Sequence, residues 1–301
     1  FVGNGPFVLK EWTPNGRIVT AKNPQYWDAA TVRLNGIVFY PIVNPDVEER
    51  NFRAGQLHLS HNLPLSKIPA YRAGDPGKLR IDPFAQVLFI RFNTTRPPFN
   101  NPKLRRALSL AIDRDSISRH LLHGSRPPAH HLTPAGLAGY VPRARVPDDF
   151  VAARRLLADA GFPGGRGLPP FEIQVRNDEL QPKIIEAVQA MWARELGVHA
   201  TIALLEQKTS IQNQRVLDFT VGSNGWVADY PDPATFLELF VTGGMANWTG
   251  WGDPAYDRLI AQATQTADPE ERHECFQEAE AILLEQSPII PLIFGARNYL
   301  I

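Results

Sequence analysis

A ten-residue segment, 224–233, carries the side chains best suited to bind a ligand. It reads Asn-Gly-Trp-Val-Ala-Asp-Tyr-Pro-Asp-Pro and follows a predicted strand. Gly225 lets another backbone approach closely, Trp226 offers a broad apolar wall, and Asp229 can pair with a cation. These residue types predict a site for an ammonium group.

The same segment also has a structural interpretation, which the residues alone leave open. Trp226 could belong to the core, and Asp229 could bond to the turn that precedes Pro231. Asp232 could cap a helix that begins near Pro233. Ligand binding and local structure are therefore competing explanations for these residues.

Other chemistry-bearing residues lack the patterns that catalysis or metal binding requires. His130 and His131 are adjacent, and neighbours in a loop rarely ligate one metal ion together. Cys275 is the only cysteine, which excludes a disulfide within the chain and a thiolate metal cluster. No Gly-x-Ser-x-Gly, phosphate-loop or dinucleotide pattern occurs, and Asp229 and Asp232 across a Tyr-Pro turn have no fixed acid-base geometry. We expect no enzyme activity, no metal and no cofactor.

Composition narrows the classes of partner. The chain has 301 residues, 44% of them hydrophobic, which is enough for one large domain or two ordinary ones. Its 31 basic side chains balance 31 acidic ones, so no net field attracts nucleic acid or an anionic membrane. Apolar runs such as 87–90 are far shorter than the ~18 residues that span a bilayer. We expect no nucleic-acid partner, and binding must come from local sites.

Hydrophobic periodicity separates a strand-rich part from a mixed part. Residues 3–95 read mainly as short strands separated by turns. At Pro102 the apolar residues change to the spacing of an amphipathic helix, with Asn101 as its cap. Residues 124–148 lose all periodicity and contain five prolines, which predicts a long ordered loop.

From residue 149 the predicted elements alternate between helix and strand. They are helix 149–160, strand 171–176, helix 180–197, strand 198–205 and strand 218–221. This alternation is typical of an α/β layer with a largely parallel sheet. Two further helices, 254–266 and 269–285, precede a buried strand at 289–294.

Seven blocks resemble, in order, the family-5 extracytoplasmic solute-binding proteins, and among them the oligopeptide-binding proteins of ABC importers. The blocks are residues 3–9, 23–28, 52–57, 92–99, 104–114, 152–162 and 226–233. Each block alone is a weak match, whereas seven in family order over nearly the whole chain are specific.

The resemblance implies an α/β, periplasmic-binding-protein-like fold of type II, in which two lobes close on a ligand. It implies an incomplete fold here, because full-length members have a signal peptide, an earlier part of lobe I and a later return into it. We expect part of lobe I in residues 1–95, lobe II in 96–286 and a return strand toward lobe I in 287–301. The full-length protein is expected in the periplasm or otherwise outside the cytoplasm, with or without a lipid anchor.

By position, the resemblance also assigns candidate site residues. Asp229 is expected to pair with the α-ammonium of an oligopeptide, and Gly225, Trp226 and Val227 to bond its main chain as an added strand. Asn93 is either a further polar contact or a turn residue. Oligopeptide binders often carry a basic residue before the Gly-Trp pair, but residues 221–224 offer none. Recognition of the peptide C-terminus is therefore left open.

The expected function is the capture of oligopeptides for delivery to the membrane subunits of an ABC permease. We expect a monomer with no chemistry of its own. Relatives on this scaffold bind nickel complexes, haem, murein peptides or oligosaccharides. The alternative is therefore a non-peptide solute, or a role as the ligand-sensing domain of a regulator, and Asp229 is the main reason to prefer a peptide amine.

Overall fold

The computed structural model describes residues 3–301, and the chain forms two compact units. The first is Phe1–Arg80, described from Gly3, with Tyr299–Ile301, and the second is Ile81–Asn298. The sequence predicts the boundaries near residues 95 and 287 instead. Residues 95 and 287 lie near one end of the strands Leu79–Phe92 and Ile289–Leu300. The boundary between the two units falls at the other end of both strands, after Arg80 and after Asn298.

The first unit contains an antiparallel sheet of order β1-β2-β3 and two helices. The strands are β1 (Phe7–Thr13), β2 (Arg17–Lys22) and β3 (Gly36–Phe39), and the helices are α1 (Pro45–Arg53) and α2 (Ile68–Gly74). The helices depart from the expectation of mainly strands. Helix α1 is largely charged, so apolar periodicity does not indicate it, although Asn44 caps it by accepting the N–H groups of Asp46 and Val47.

The second unit is built on a mixed five-stranded sheet. Its strands are β4 (Leu79–Phe92), β5 (Phe171–Arg176), β6 (Ala200–Leu205), β7 (Val221–Val227) and β8 (Ile289–Leu300), in the order β6-β5-β7-β4-β8. Strand β5 runs parallel to β6 and β7, but β4 pairs antiparallel with β7. The expectation of parallel pairing is confirmed for the three strands of the predicted helix-strand alternation, β5, β6 and β7. Strand β4 adds an antiparallel pair, because it precedes that alternation and joins the sheet without a crossover helix.

Strand β7 is longer than the sequence indicates and begins later. The predicted strand at 218–221 is wrong in extent, since β7 spans Val221–Val227. Residues Gly222 to Gly225 have low strand propensity, so the sequence pattern does not indicate a strand there. Pairing with β4 stabilises these residues as a strand, in the register that sets Val87 opposite Trp226.

The helices of the second unit largely follow the predicted pattern. They are α3 (Pro102–Leu110), α4 (Arg114–Ser116), α5 (Phe150–Asp159), α6 (Gln181–Leu196), α7 (Gln207–Arg215), α8 (Ala234–Leu237), α9 (Pro254–Gln265) and α10 (Pro269–Gln286). The predicted α3, α5, α6, α9 and α10 are confirmed, with Asn101 capping α3 and Gly197 ending α6 at φ 64°. Helix α7 was not predicted, because it is polar and has no apolar periodicity.

The core of the second unit lies on both faces of the sheet. One buried cluster joins β4 to α8, α9 and α10 through Phe89, Phe236, Tyr256 and Phe276. On the α6 side, Trp192 is fully buried and donates its Nε1–H to the Leu108 carbonyl at 2.9 Å. No described helix is both long and apolar enough to cross a bilayer.

Residues 124–148 form the predicted long ordered loop. The Ala129 N–H donates to Leu292 O at 3.0 Å, and Phe294 N–H donates to Pro127 O at 2.9 Å. From α10, the buried Glu280 carboxylate accepts the N–H groups of Leu132 and Thr133 and the Tyr140 hydroxyl. Backbone and side-chain bonds thus hold a segment that has little regular structure beyond the short 3-10 helix Leu137–Gly139.

Candidate functional site

The candidate site lies along one edge of β7. Strand β4 pairs with β7 over its whole length, from Val221 to Val227. On the other side, β5 pairs only with Val221 and Gly222. From Ser223 onward, no strand among residues 3–301 pairs with the edge of β7 that faces away from β4.

The alternation of an antiparallel strand determines which groups face that open edge. Ala228 N–H donates to Ala85 O at 2.8 Å, so residues 228, 226 and 224 direct their main-chain groups toward β4. The main-chain groups of Gly225 and Val227 point toward the open edge. The Gly225 N–H, however, already donates to Oδ1 of the preceding residue, Asn224, at 2.7 Å. An added strand would therefore find the Gly225 carbonyl and both main-chain groups of Val227.

Gly225 and Trp226 serve different faces of the sheet. A Cβ on Gly225 would lie 2.9 Å from Val87 O, so the close pairing of β7 with β4 favours glycine there. The Trp226 indole packs against the buried cluster around Phe236, and its Nε1–H donates to Thr235 Oγ1 at 3.4 Å. The structure thus places the ring on the core side, opposite to the side-chain face of Gly225 and Val227.

Asp229 ends the open edge with an exposed carboxylate. Its own N–H donates to Thr235 Oγ1 at 3.1 Å, which fixes the backbone. Within residues 3–301, no hydrogen bond or ion pair engages the carboxylate. The charge is therefore free to meet a ligand.

Asp232, three residues later, has the opposite arrangement. Both of its oxygens bind Arg272, at 2.7 and 2.8 Å, and one also accepts the Ala234 N–H at 2.9 Å. Burial alone would raise the pKa of Asp232, but the hydrogen bonds from Arg272 and Ala234 outweigh it and lower the pKa below its ordinary value. Asp232 therefore acts within the fold, at the start of α8.

Asn93 is used entirely by the protein. It is buried, and its Nδ2 donates to Leu217 O and Phe219 O at 3.0 Å each. Its Oδ1 accepts the N–H and the hydroxyl of Thr95. With all four hydrogen-bonding positions taken, Asn93 is available as a turn residue and not as a ligand contact.

A buried polar network behind β7 was not found from the sequence. Gln214 Oε1 accepts from Arg91 Nη1 at 3.0 Å and from Asn224 Nδ2 at 2.9 Å. Burial lowers the pKa of Arg91 to about 9. The network fixes Asn224, which in turn holds the Gly225 N–H. The only sequence signal was an arginine inside the apolar run of β4.

The sequence pattern of "Bacterial extracellular solute-binding proteins, family 5 Middle" matches residues 1–248. The chain belongs to this family. The periplasmic oligopeptide-binding protein OppA of Salmonella typhimurium is 32% identical to this family-5 chain, over 97% of the chain and 55% of the relative. The probable deoxycholate-binding periplasmic protein YgiS of Escherichia coli is 33% identical over the same shares.

The Escherichia coli murein tripeptide binding protein MppA has a similar solved structure, with a TM-score of 0.85 and 31% identity. The match covers 99% of this chain and 60% of that one. The prediction of an incomplete, periplasmic-binding-protein-like α/β fold is thereby confirmed. The chain spans little more than half the length of these two curated relatives, both of which are named as binding proteins.

The adjacent residues His130 and His131 of this family-5 chain lie in different surroundings and share no site. His131 is buried against Phe294, and burial lowers its pKa to about 4. His130 instead meets Asp115 and Asp148, with ligand atoms within 4.8 Å of one another. Arg114 already pairs with Asp148 at 2.8 Å, and its positive charge opposes a cation at that cluster.

Cys275 lies in the buried cluster of α9 and α10, and burial raises the pKa of its thiol. A raised pKa disfavours the thiolate that a nucleophile needs. Cys275 therefore serves as a packed side chain of this cluster.

Proposed function

We propose that this family-5 chain belongs to the solute-capturing component of an ABC peptide importer. The observation that carries the proposal is the open edge of β7, which ends at the unpaired carboxylate of Asp229. An extended peptide added along this edge would bond to Gly225 and Val227, and its α-ammonium would meet Asp229.

The energetics of this arrangement favour broad peptide recognition. A main-chain hydrogen bond contributes about 0.5–1.5 kcal/mol, and one to a charged group about 1.5–3 kcal/mol. Neither depends on the side chains of the ligand. The Asp229 contact is therefore the strongest single interaction, and it selects for a free amine.

The partners follow from the same proposal. The ligand would pass to the membrane subunits of an ABC permease, and the protein would act as a monomer outside the cytoplasm. The family description and the periplasmic relatives support that location. We assign the first compact unit to lobe I and the second to lobe II.

A second candidate function rests on one relative. The protein named as probable deoxycholate-binding is 33% identical to this chain. Deoxycholate is an anionic steroid without an amine, so Asp229 would repel its carboxylate rather than attract it. This candidate predicts binding that does not depend on Asp229.

Calorimetric titration of the full-length protein separates the two candidates. Tetra-alanine should bind roughly tenfold or more tightly than N-acetyl-tetra-alanine, because acetylation removes the charge that Asp229 meets. Equal affinities would contradict the assigned contact. Binding of deoxycholate without binding of either peptide would favour the second candidate.

A further inference from the structure

Two side chains already occupy part of the open edge of β7. Gln214 Nε2 donates to the Ser223 carbonyl at 3.2 Å, and Asn224 Oδ1 accepts the Gly225 N–H at 2.7 Å. These two contacts form the edge caps of β7. The capped groups are consecutive on the open edge, because the main-chain groups of 223, 225 and 227 all point away from β4. An added strand therefore meets a free edge only from the Gly225 carbonyl onward.

The direction of these hydrogen bonds follows from Arg91. A guanidinium only donates, so Arg91 Nη1, at 3.0 Å, requires the oxygen of the Gln214 amide on its side and leaves the nitrogen for Ser223. The same oxygen accepts the Asn224 amide nitrogen at 2.9 Å, which turns the Asn224 oxygen toward the Gly225 N–H. The donors and acceptors of the edge caps are thus fixed by one buried charge.

Burial and packing hold this network in place. Arg91 and Gln214 are only 3% and 1% exposed, and the guanidinium lies over the rings of Phe89 and Trp248. Gln214 reaches β7 because Gly222 has no side chain, since a Cβ there would lie 3.0 Å from Gln214 Nε2. Displacing the network would break buried hydrogen bonds, so a ligand meets the edge with both caps in place.

We propose that Asn224 and Gln214 determine which part of a peptide is recognised through its main chain. The inference rests on the proposed peptide function. A ligand whose α-ammonium meets Asp229 and which pairs with Val227 runs antiparallel to β7, so its later residues reach the edge caps. Only the residues before the caps find free main-chain groups, and the ligand chain beyond them is not bonded to β7.

The recognised stretch is about three or four residues long. Gly225 lies four positions before Asp229, and at roughly 3.3 Å per extended residue that span is about 13 Å. The Gly225 carbonyl accepts the last ligand N–H on this edge, and the carbonyl of the same ligand residue faces the N–H that Asn224 holds. The ligand class is therefore peptides with a free amine and a regular main chain over these first residues. Esters or N-methyl groups further along do not affect pairing with β7.

Single amide-to-ester replacements in penta-alanine test this inference on the full-length protein. Each ester removes the N–H of one ligand residue and weakens the carbonyl of the residue before it. In calorimetric titrations, at least one ester within the first four residues should lower affinity for the native protein by about threefold to tenfold, and the ester at the fifth residue by less than about twofold. A comparable loss at the fifth residue would overturn the inference.

Asn224→Ala removes one edge cap and frees the Gly225 N–H. The ligand carbonyl opposite then gains a donor, so the variant should bind penta-alanine about twofold to tenfold more tightly than the native protein does. The ester at the residue after the last sensitive one should now lower affinity as well. An ester profile and an affinity identical to those of the native protein would overturn the role of Asn224.

Asn213→Ala is the matched control. Asn213 precedes Gln214 on α7, but its amide donates to Gln174 at 3.2 Å, outside the edge caps. This variant should keep the native affinity and ester profile, and thermal unfolding checks that both variants fold. A change in Asn213→Ala equal to that in Asn224→Ala would overturn the assignment to the caps.

Hydrogen exchange in the ligand-free native protein, measured by NMR, tests the Asn224 cap without any variant. The Gly225 N–H should exchange more slowly than the Val227 N–H, because only the former has an acceptor on the open edge. Equal exchange rates would overturn the cap.

Failure of the peptide function gives a different result from failure of the caps. Tetra-alanine and N-acetyl-tetra-alanine test the Asp229 contact, which does not involve Asn224. Equal binding of these two peptides, with an ester profile that ends by the fourth residue, would contradict the Asp229 contact and support the caps. A free-amine preference with a profile that continues through the fifth residue would overturn the caps alone. No binding of any peptide would overturn both.

Discussion

Two carboxylates that flank the Tyr-Pro turn, Asp229 and Asp232, have opposite surroundings. The Asp229 carboxylate is exposed and has no partner among the described residues, whereas Asp232 is held by both terminal guanidinium nitrogens of Arg272 and by a helix N–H. The sequence alone does not distinguish these two carboxylates. In the proposed function, a free carboxylate, rather than a carboxylate as such, marks the end of β7 that binds the ligand.

Glu280 extends the comparison to the interior. It is fully buried, and three protein donors meet its oxygens. Asp232 and Glu280 thus belong to a region in which acidic groups organise the fold, while Asp229 belongs to a region left open for a ligand. The expected effects of substitution separate the two regions.

The largest effect is expected at Glu280. Glu280→Ala leaves the Leu132 and Thr133 N–H groups and the Tyr140 hydroxyl without an acceptor, and should lower the free energy of unfolding by about 3–5 kcal/mol. Urea denaturation measures the loss. Asp229→Ala is the matched control and should change stability by less than about 0.5 kcal/mol. A comparable loss of stability in both variants would contradict the distinction between the acidic groups that organise the fold and Asp229.

Glu280 also predicts a pH dependence with a defined sign. Burial raises its pKa from 4.5 to about 7, so the folded state binds more protons than the unfolded state between those values. This group's contribution is greatest below pH 4.5, falls as pH rises toward 7, and changes by about 3 kcal/mol in total.

Glu280→Gln keeps the size of the side chain and does not titrate. The difference in unfolding free energy between the native chain and this variant should therefore shift against the native chain from pH 5 to pH 7. Parallel pH profiles of the two proteins would show that Glu280 is already ionised throughout.

A smaller effect is expected at Asp232. Asp232→Asn weakens a largely buried, bidentate pair with Arg272 and should cost about 1–2 kcal/mol of stability. Peptide affinity should stay within twofold of the native value. Arg272→Lys keeps the charge but loses the two-point contact, so it should also destabilise. A loss of affinity in Asp232→Asn without loss of stability would place Asp232 in the binding site.

Sequence patterns captured the parts of the fold that local rules determine. Helices α3 and α6 have an apolar stripe and clear end signals, Asn101 and Gly197, so their bounds were predictable. Strand β7 was not, because its glycines and polar residues form a strand only when β4 lies alongside. The antiparallel entry of β4 likewise depends on a partner distant in sequence.

The candidate site was predictable in its residues but not in its contacts. Asp229 was identified from its type and position, yet its lack of a partner is visible only in three dimensions. Asn93 was a candidate because of its position, and the structure shows both polar atoms of its side chain in use.

The central claim is that the Asp229 carboxylate binds the ligand's α-ammonium. A double-mutant cycle tests it most directly, with tetra-alanine and N-acetyl-tetra-alanine titrated into the native full-length protein and into Asp229→Asn. The account predicts a coupling energy of about 1.5–3 kcal/mol between the two groups. A coupling energy near zero, with both peptides weakened equally by Asp229→Asn, would contradict it.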